Sequence, residues 1–177
     1  CRRCATDAAV RPDPAMDVVL AACRAIELDP AAARLDDLGR RVGMSPHHLQ
    51  RAFTRVAGLS PRRYAAAVRF ERFKRALREG DGVTRALHRA GYGSSRGLYE
   101  RAAANLGMAP AAYRRGGPGV DVAWGSADTP LGPLVVAATP MGVCAVRFGV
   151  PGEVAAELAR ELPGARLRRA QDDLAGV

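Results

Sequence analysis

Shifting the chain by 49 positions lays Leu38 on Leu87, Leu49 on Leu98, Gly58 on Gly107, Pro61 on Pro110 and Tyr64 on Tyr113. Such a repeat constrains the fold more than composition does, because one unit must be built twice from the same local signals. In the first copy Leu35, Leu38 and Val42 mark a short helix ended by Gly43. Ser45 then caps a further helix with Pro46 at its first position. Two helices therefore meet across a turn of about three residues, a helix-turn-helix pattern. The period predicts Leu49, Phe53 and Val56 facing inward, with His47, Gln50, Arg51 and Arg55 on the opposite side.

The flanking segments extend this helical reading. Asp13 followed by Pro14 reads as a helix start, and Met16, Val19, Leu20, Cys23 and Ile26 then recur on one face. Between the copies, Ser60 and Pro61 open a helix with Ala66, Phe70, Phe73 and Leu77 on one stripe. Arg69, Arg72, Lys74, Arg75 and Arg78 lie largely around it. At 1.5 Å per residue this rod spans roughly 25 to 30 Å. That length suits two recognition helices held about one duplex turn apart, roughly 34 Å, in successive major grooves.

Charge supports a polyanionic partner for one part of the chain. Residues 1–115 hold 22 Arg and Lys against 11 Asp and Glu, whereas residues 116–177 hold 5 against 7. The amino-terminal two-thirds calls for nucleic acid and the rest does not. Gln, Arg and His early in a helix can read base edges, so Ser45, His47, Gln50, Arg51 and Arg55 are the candidate contacts of the first copy. The second copy offers Ser94, Ser95, Arg96 and Tyr99. It is weakened by Gly97 in its first turn and by Glu100, whose carboxylate would face phosphates.

The break in charge coincides with "RRGGPG" (114–119), whose glycines and proline defeat helix and strand alike. Downstream the period becomes strand-like. Val120 to Gly125, Pro133 to Thr139 and Val143 to Phe148 read as three strands joined by turns at 129–132 and 140–142, with a helix from Pro151 to about Leu162. The expected architecture is mainly α, a double helix-turn-helix bundle followed by a small α+β piece made of a three-stranded meander and a helix.

Cys1 and Cys4 have the spacing of half a zinc site, and tetrahedral zinc needs four ligands. Cys23 falls in an apolar helical stripe and Cys144 in a strand, so both read as packing residues. Phosphate loops, paired-carboxylate sites and hydrolytic triads are not recognisable in the sequence. Sparse, irregular cysteines and the lack of a spanning apolar run fit a reducing, cytoplasmic setting with no membrane partner. Cys1 stands where a methionine would be expected, and both ends read as cut.

"GMSPHHLQRAFTRVAGLSPRRY" and "AGYGSSRGLYERAAANLGMAPAAYRR" resemble the double helix-turn-helix of AraC/XylS-family bacterial regulators. The order Cys-x-x-Cys, double motif, then "YRRGGPGVDVAWGSADTPLGPLVVAATPMGVCAVRFG" resembles the Ada-type regulators of the response to DNA alkylation. That resemblance implies four pieces: a remnant zinc domain at 1–12, an AraC-type DNA-binding domain at 13–115, a linker at 116–119, and part of an O6-methylguanine methyltransferase domain at 120–177. It further implies zinc in the full-length protein with Cys1 and Cys4 as two of its four ligands, promoter DNA and RNA polymerase as partners, and no small-molecule substrate. In such proteins cysteines accept methyl groups in suicide transfers. Both acceptors are expected to lie outside this chain, and Cys144 does not lie in the acceptor motif. Two alternatives stand beside this reading: an AraC-type regulator responding to a small ligand, and a functional methylated-DNA methyltransferase.

Overall fold

The computed structural model describes residues 13–31, 33–92 and 98–170, with residues 98–101 described by their backbone. The chain packs as two compact units, residues 1–71 and 72–177.

The first unit contains α1 (Met16–Leu28), α2 (Leu35–Val42), α3 (Pro46–Ala57) and the first turns of α4 (Pro61–Arg78). Val19, Ala22, Ile26, Leu38, Leu49, Ala52, Phe53 and Ala65 form its core. Phe53 meets the Tyr64 ring edge-on, 5.7 Å between centroids. Leu20, expected in the apolar stripe of α1, is instead exposed, and Ala22 takes the buried place. The physical reason is close packing: small Ala22 lets α1 approach its neighbours, whereas Leu20 lies on the flank.

Local chemistry sets the boundaries of α2 and α3. Gly43 closes α2 in the left-handed region at φ 69°, and Ser45 in extended backbone caps α3 ahead of Pro46. Gly39 governs the turn between them. A Cβ there would lie 2.5 Å from the Met44 carbonyl oxygen, so the closeness of α2 to the turn depends on a missing side chain.

The second unit continues α4 and adds α5 (Val83–Arg89), α6 (Leu98–Leu106), α7 (Pro110–Arg114), β1 (Asp121–Thr129), β2 (Gly132–Thr139), β3 (Gly142–Phe148), α8 (Pro151–Glu161) and β4 (Arg166–Arg169). The predicted meander is present, but the sheet has four strands in the order β3-β2-β1-β4, with β4 parallel to β1. Charged "RLRR" carries no readable alternation, and only its pairing with β1 makes it a strand. Val154 and Leu158 of α8 are buried together with Val122, Val135 and Ala137 of the sheet.

The "RRGGPG" segment starts inside a helix, since Arg114 is the last residue of α7, and only residues 115–119 form neither helix nor strand. Gly116, Gly117 and Gly119 all take positive φ, and the segment is lashed down by hydrogen bonds from Gly119 N–H to Gly164 O and from Gly164 N–H to Gly116 O.

The α4 stripe also differs from expectation. Ala66 is exposed and Ala65 buried, and Lys74 is buried beside Phe73 and Leu77 rather than lying in the basic periphery. An acceptor explains the lysine: Glu161 of α8 lies 3.9 Å from its Nζ. Glu161 also takes a hydrogen bond from Tyr113, pairs with Arg78 at 3.2 Å, and binds Arg147 of β3. Burial pushes the Glu161 carboxyl up, but the Tyr113 and Arg147 hydrogen bonds and the Lys74 charge outweigh it and hold the group below the ordinary carboxylate range.

Candidate nucleic-acid interface

Helix α3 is two-faced at the positions predicted from its period. Leu49 and Phe53 are fully buried and Val56 is half-buried, while His47, Gln50, Arg51 and Arg55 are exposed. Its amino terminus is ordered by Ser45, whose Oγ accepts from the His48 backbone N–H at 3.4 Å and lies 3.0 Å from His48 Nδ1. His47 and His48 sit side by side with ring centroids 6.3 Å apart. The outcome is a polar first turn and a half, pinned by a cap and by a hydrophobic underside.

Arg55 has a partner that sequence reading did not supply. Its Nε donates to Asp13 Oδ2 at 2.7 Å and its Nη2 to Oδ1 at 3.0 Å, a two-pronged ion pair. Arg55, assisted by the Ala15 N–H, holds the Asp13 carboxyl down at about 2. Asp13 is not the cap of α1, which begins at Met16 behind Ala15; it accepts from the Ala15 N–H in the preceding turn and shares the charge of an α3 arginine. The two residues stand 42 positions apart, beyond any local signal.

Gln50 borders a cleft of about 690 Å³ whose lining includes Arg34 ahead of α2, Ser60 and Arg62 at the start of α4, and Arg69 midway along that helix. Of these flanking residues, the sequence marks Ser60 only as a helix start and does not mark Arg34 or Arg62. The available signal was positional: polar and basic groups at the two helix starts beside the recognition helix.

For the second copy, α6 and its left-handed Gly107 (φ 63°) repeat the helix and glycine of the first. Ser94, Ser95 and Arg96 lie outside the described residues, and Tyr99 falls in α6 with only its backbone described. Cys1 and Cys4 also lie outside them. The remaining thiols do not suit zinc. Burial raises the pKa of Cys23 in α1 and of Cys144 in β3, and Cys144 donates its Sγ–H to Ala137 O. Among the described residues no group of three or more His, Cys, Asp or Glu could hold a metal ion.

A family model described as a helix-turn-helix domain matches residues 38–116, taking in both copies of the motif. Regulatory protein ada of Salmonella typhimurium is 35% identical over 170 residues, covering 94% of this chain and 47% of that protein. The bifunctional transcriptional activator/DNA repair enzyme Ada of Escherichia coli is 34% identical over 149 residues, covering 84% of this chain and 42% of its own length. Over most of its length the chain is similar to these Ada proteins, and it contains a helix-turn-helix domain at 38–116. It spans about half the length of the curated relatives it matches. The fold also resembles the C-terminal domain of AraT, a response regulator from Geobacillus stearothermophilus. That likeness has a TM-score of 0.51 and 21% identity, and it covers 59% of this chain and 87% of that one. Among the described residues no helix is long and apolar enough to cross a membrane.

Proposed function

We propose that this Ada-like chain binds promoter DNA in a sequence-specific way and regulates transcription in the response to DNA alkylation. The observation that carries the reading is the two-faced α3: a buried Leu49 and Phe53 underside beneath exposed His47, Gln50 and Arg51, behind a Ser45 cap. Gln50 and Arg51 read base edges, the first through its amide and the second through its guanidinium fork. Ser45 and His47 contact the first turn's edge of the groove, and Arg55 contributes charge shared with Asp13. Arg34 and Arg62 border the same face and suit phosphates. In the second copy Ser94, Ser95, Arg96 and Tyr99 take the corresponding part, with less affinity.

The wider role rests on the Ada relatives. Zinc held in part by Cys1 and Cys4, a contact with RNA polymerase, a cytoplasmic location, and the division into 1–12, 13–115, 116–119 and 120–177 belong to the longer protein as proposed. Cys144 is a packing residue: its thiol is pushed up by burial, which opposes the thiolate a methyl acceptor needs.

The test begins with selection of a preferred duplex from a random pool, followed by fluorescence anisotropy on that duplex. Arg51→Ala is expected to weaken binding by about 1 to 3 kcal/mol and to relax preference at one base position. Unchanged affinity and unchanged preference would remove Arg51 from the reading surface.

A further inference from the structure

The carboxy-terminal part of the chain is acidic in sum, yet its positive charge is not scattered. Three of the five basic residues in 116–177, namely Arg166, Arg168 and Arg169, stand on the four-residue edge strand β4, all exposed. The chain leaves α7 through exposed Arg114 and Arg115 and enters the glycine turn that is hydrogen-bonded to Gly164, two residues before β4 begins. Residues 110–121 and 163–170 together hold five arginines against one acid, Asp121. The glycine turn therefore draws the end of the second helix-turn-helix and the sheet edge into one basic rim.

Asp121 partners only part of this charge. Its carboxylate takes Arg166 Nε at 2.7 Å and Nη2 at 3.0 Å. Arg169 lies over the Trp124 ring at 5.4 Å, an interaction that orients a guanidinium without cancelling its charge. We propose that this rim, Arg114 and Arg115 with Arg166, Arg168 and Arg169, is a second contact with duplex DNA that engages phosphates without reading bases. The chemistry favours phosphate: the rim is arginine on a strand edge, with forked donors and no helix to enter a groove. This inference rests on the DNA-binding reading above and extends its footprint from the helices to the sheet.

The experiment measures anisotropy of the 177-residue chain on a random-sequence 30-base-pair duplex across a range of potassium chloride concentrations. The variants are the triple change Arg166→Gln, Arg168→Gln, Arg169→Gln and the single change Asp121→Asn. Trp124 fluorescence monitors folding. In the triple variant the slope of log affinity against log salt should become shallower by about 2 to 3, with binding roughly 10- to 100-fold weaker at low salt. Asp121→Asn should steepen the slope by about 1, because it releases Arg166. Should the triple variant unfold, Asp121→Asn decides alone, and an unaltered slope overturns the proposal. If the wild type binds DNA and the triple variant keeps both slope and affinity, the proposal fails while the helix-turn-helix reading stands. Self-association of that variant would then assign the arginines to shielding the β4 edge. If the wild type does not bind the selected or the random duplex at low salt, the DNA-binding reading falls and takes the rim with it.

Discussion

Replacing Glu161 by alanine should destabilise the second unit more than any other single charge removal. The carboxylate is 11% exposed and gathers Lys74, Arg78, Arg147 and the Tyr113 hydroxyl. Removing it leaves the Lys74 ammonium, 10% exposed, without that acceptor and leaves the Tyr113 hydroxyl without its carboxylate. Breaking a buried pair from one side costs about 3 to 5 kcal/mol, far above the ~0 to 1 of a solvent-exposed pair. With a slope near ~1.5 kcal/mol per molar urea, the midpoint should fall by about 2 to 3 M. Trp124, the only tryptophan in the chain, lies in β1 of the same unit, so its fluorescence reports this transition. Glu161→Gln keeps an acceptor for Tyr113 but discards the charge, and should fall between wild type and alanine. The pH dependence supplies a sign. The folded-state pKa of Glu161 lies below its unfolded value, so its contribution is present above the ordinary carboxylate pKa of about 4.3. It is lost as pH falls through the lower, folded value. The gap between wild type and Glu161→Gln should therefore close on acidification from pH 7 toward pH 3. A gap that stays constant, or an alanine cost below about 1 kcal/mol, would refute the claim that this carboxylate organises the unit.

Two further outcomes follow from the first unit. Gly39→Ala places a Cβ 2.5 Å from a backbone oxygen and should cost about 1 to 3 kcal/mol, read as a lower thermal midpoint by circular dichroism at 222 nm. Gly43→Asn, at φ 69° with open space around it, should cost much less. Equal losses would show that the turn is governed by backbone conformation alone. Asp13→Asn releases Arg55 from its two-pronged pair. Binding to random duplex should tighten, with a salt slope steeper by up to about 0.9, and an unchanged slope would mean that Arg55 does not face DNA.

What was readable in the sequence was local. Gly43, Ser45 and Pro46 set the α2–α3 turn because a left-handed glycine, a hydroxyl cap and a proline at the first position each act within a few residues. The hidden parts depend on partners far along the chain. Strand β4 exists because Leu167 and Arg169 pair with Val122 and Trp124 of β1. Lys74 is buried because Glu161 waits 87 positions away, and Arg55 is paired because Asp13 lies 42 positions back. The helical period gave the two faces of α3 but not the phase in α1, where Ala22 is fully buried and Leu20 is exposed. Periodicity counts apolar residues, whereas close approach between helices selects small ones.

The repeat itself shows why this chain needs more than two copies of the motif. Each copy ends in a left-handed glycine, Gly58 or Gly107, followed by Pro61 or Pro110 and a tyrosine three residues on. Both phenols donate to a glutamate outside the 49-residue unit: Tyr64 to Glu27 of α1, and Tyr113 to Glu161 of α8. Both phenolic pKa values are pushed up, Tyr64 chiefly by its glutamate and Tyr113 chiefly by burial, so the proton that makes each bond stays on the tyrosine. Two short helices and a turn cannot bury their own apolar faces, and each copy must borrow a supporting surface. Helix α1 supplies that surface to the first copy, while the sheet with α8 supplies it to the second. There Thr139 donates to the Gly107 carbonyl, and a Cβ on Gly107 would lie 2.8 Å from the Gly142 oxygen. The strand-and-helix piece is on this argument part of the scaffold of the second motif, which accounts for a packed glycine turn where composition alone reads as a free linker.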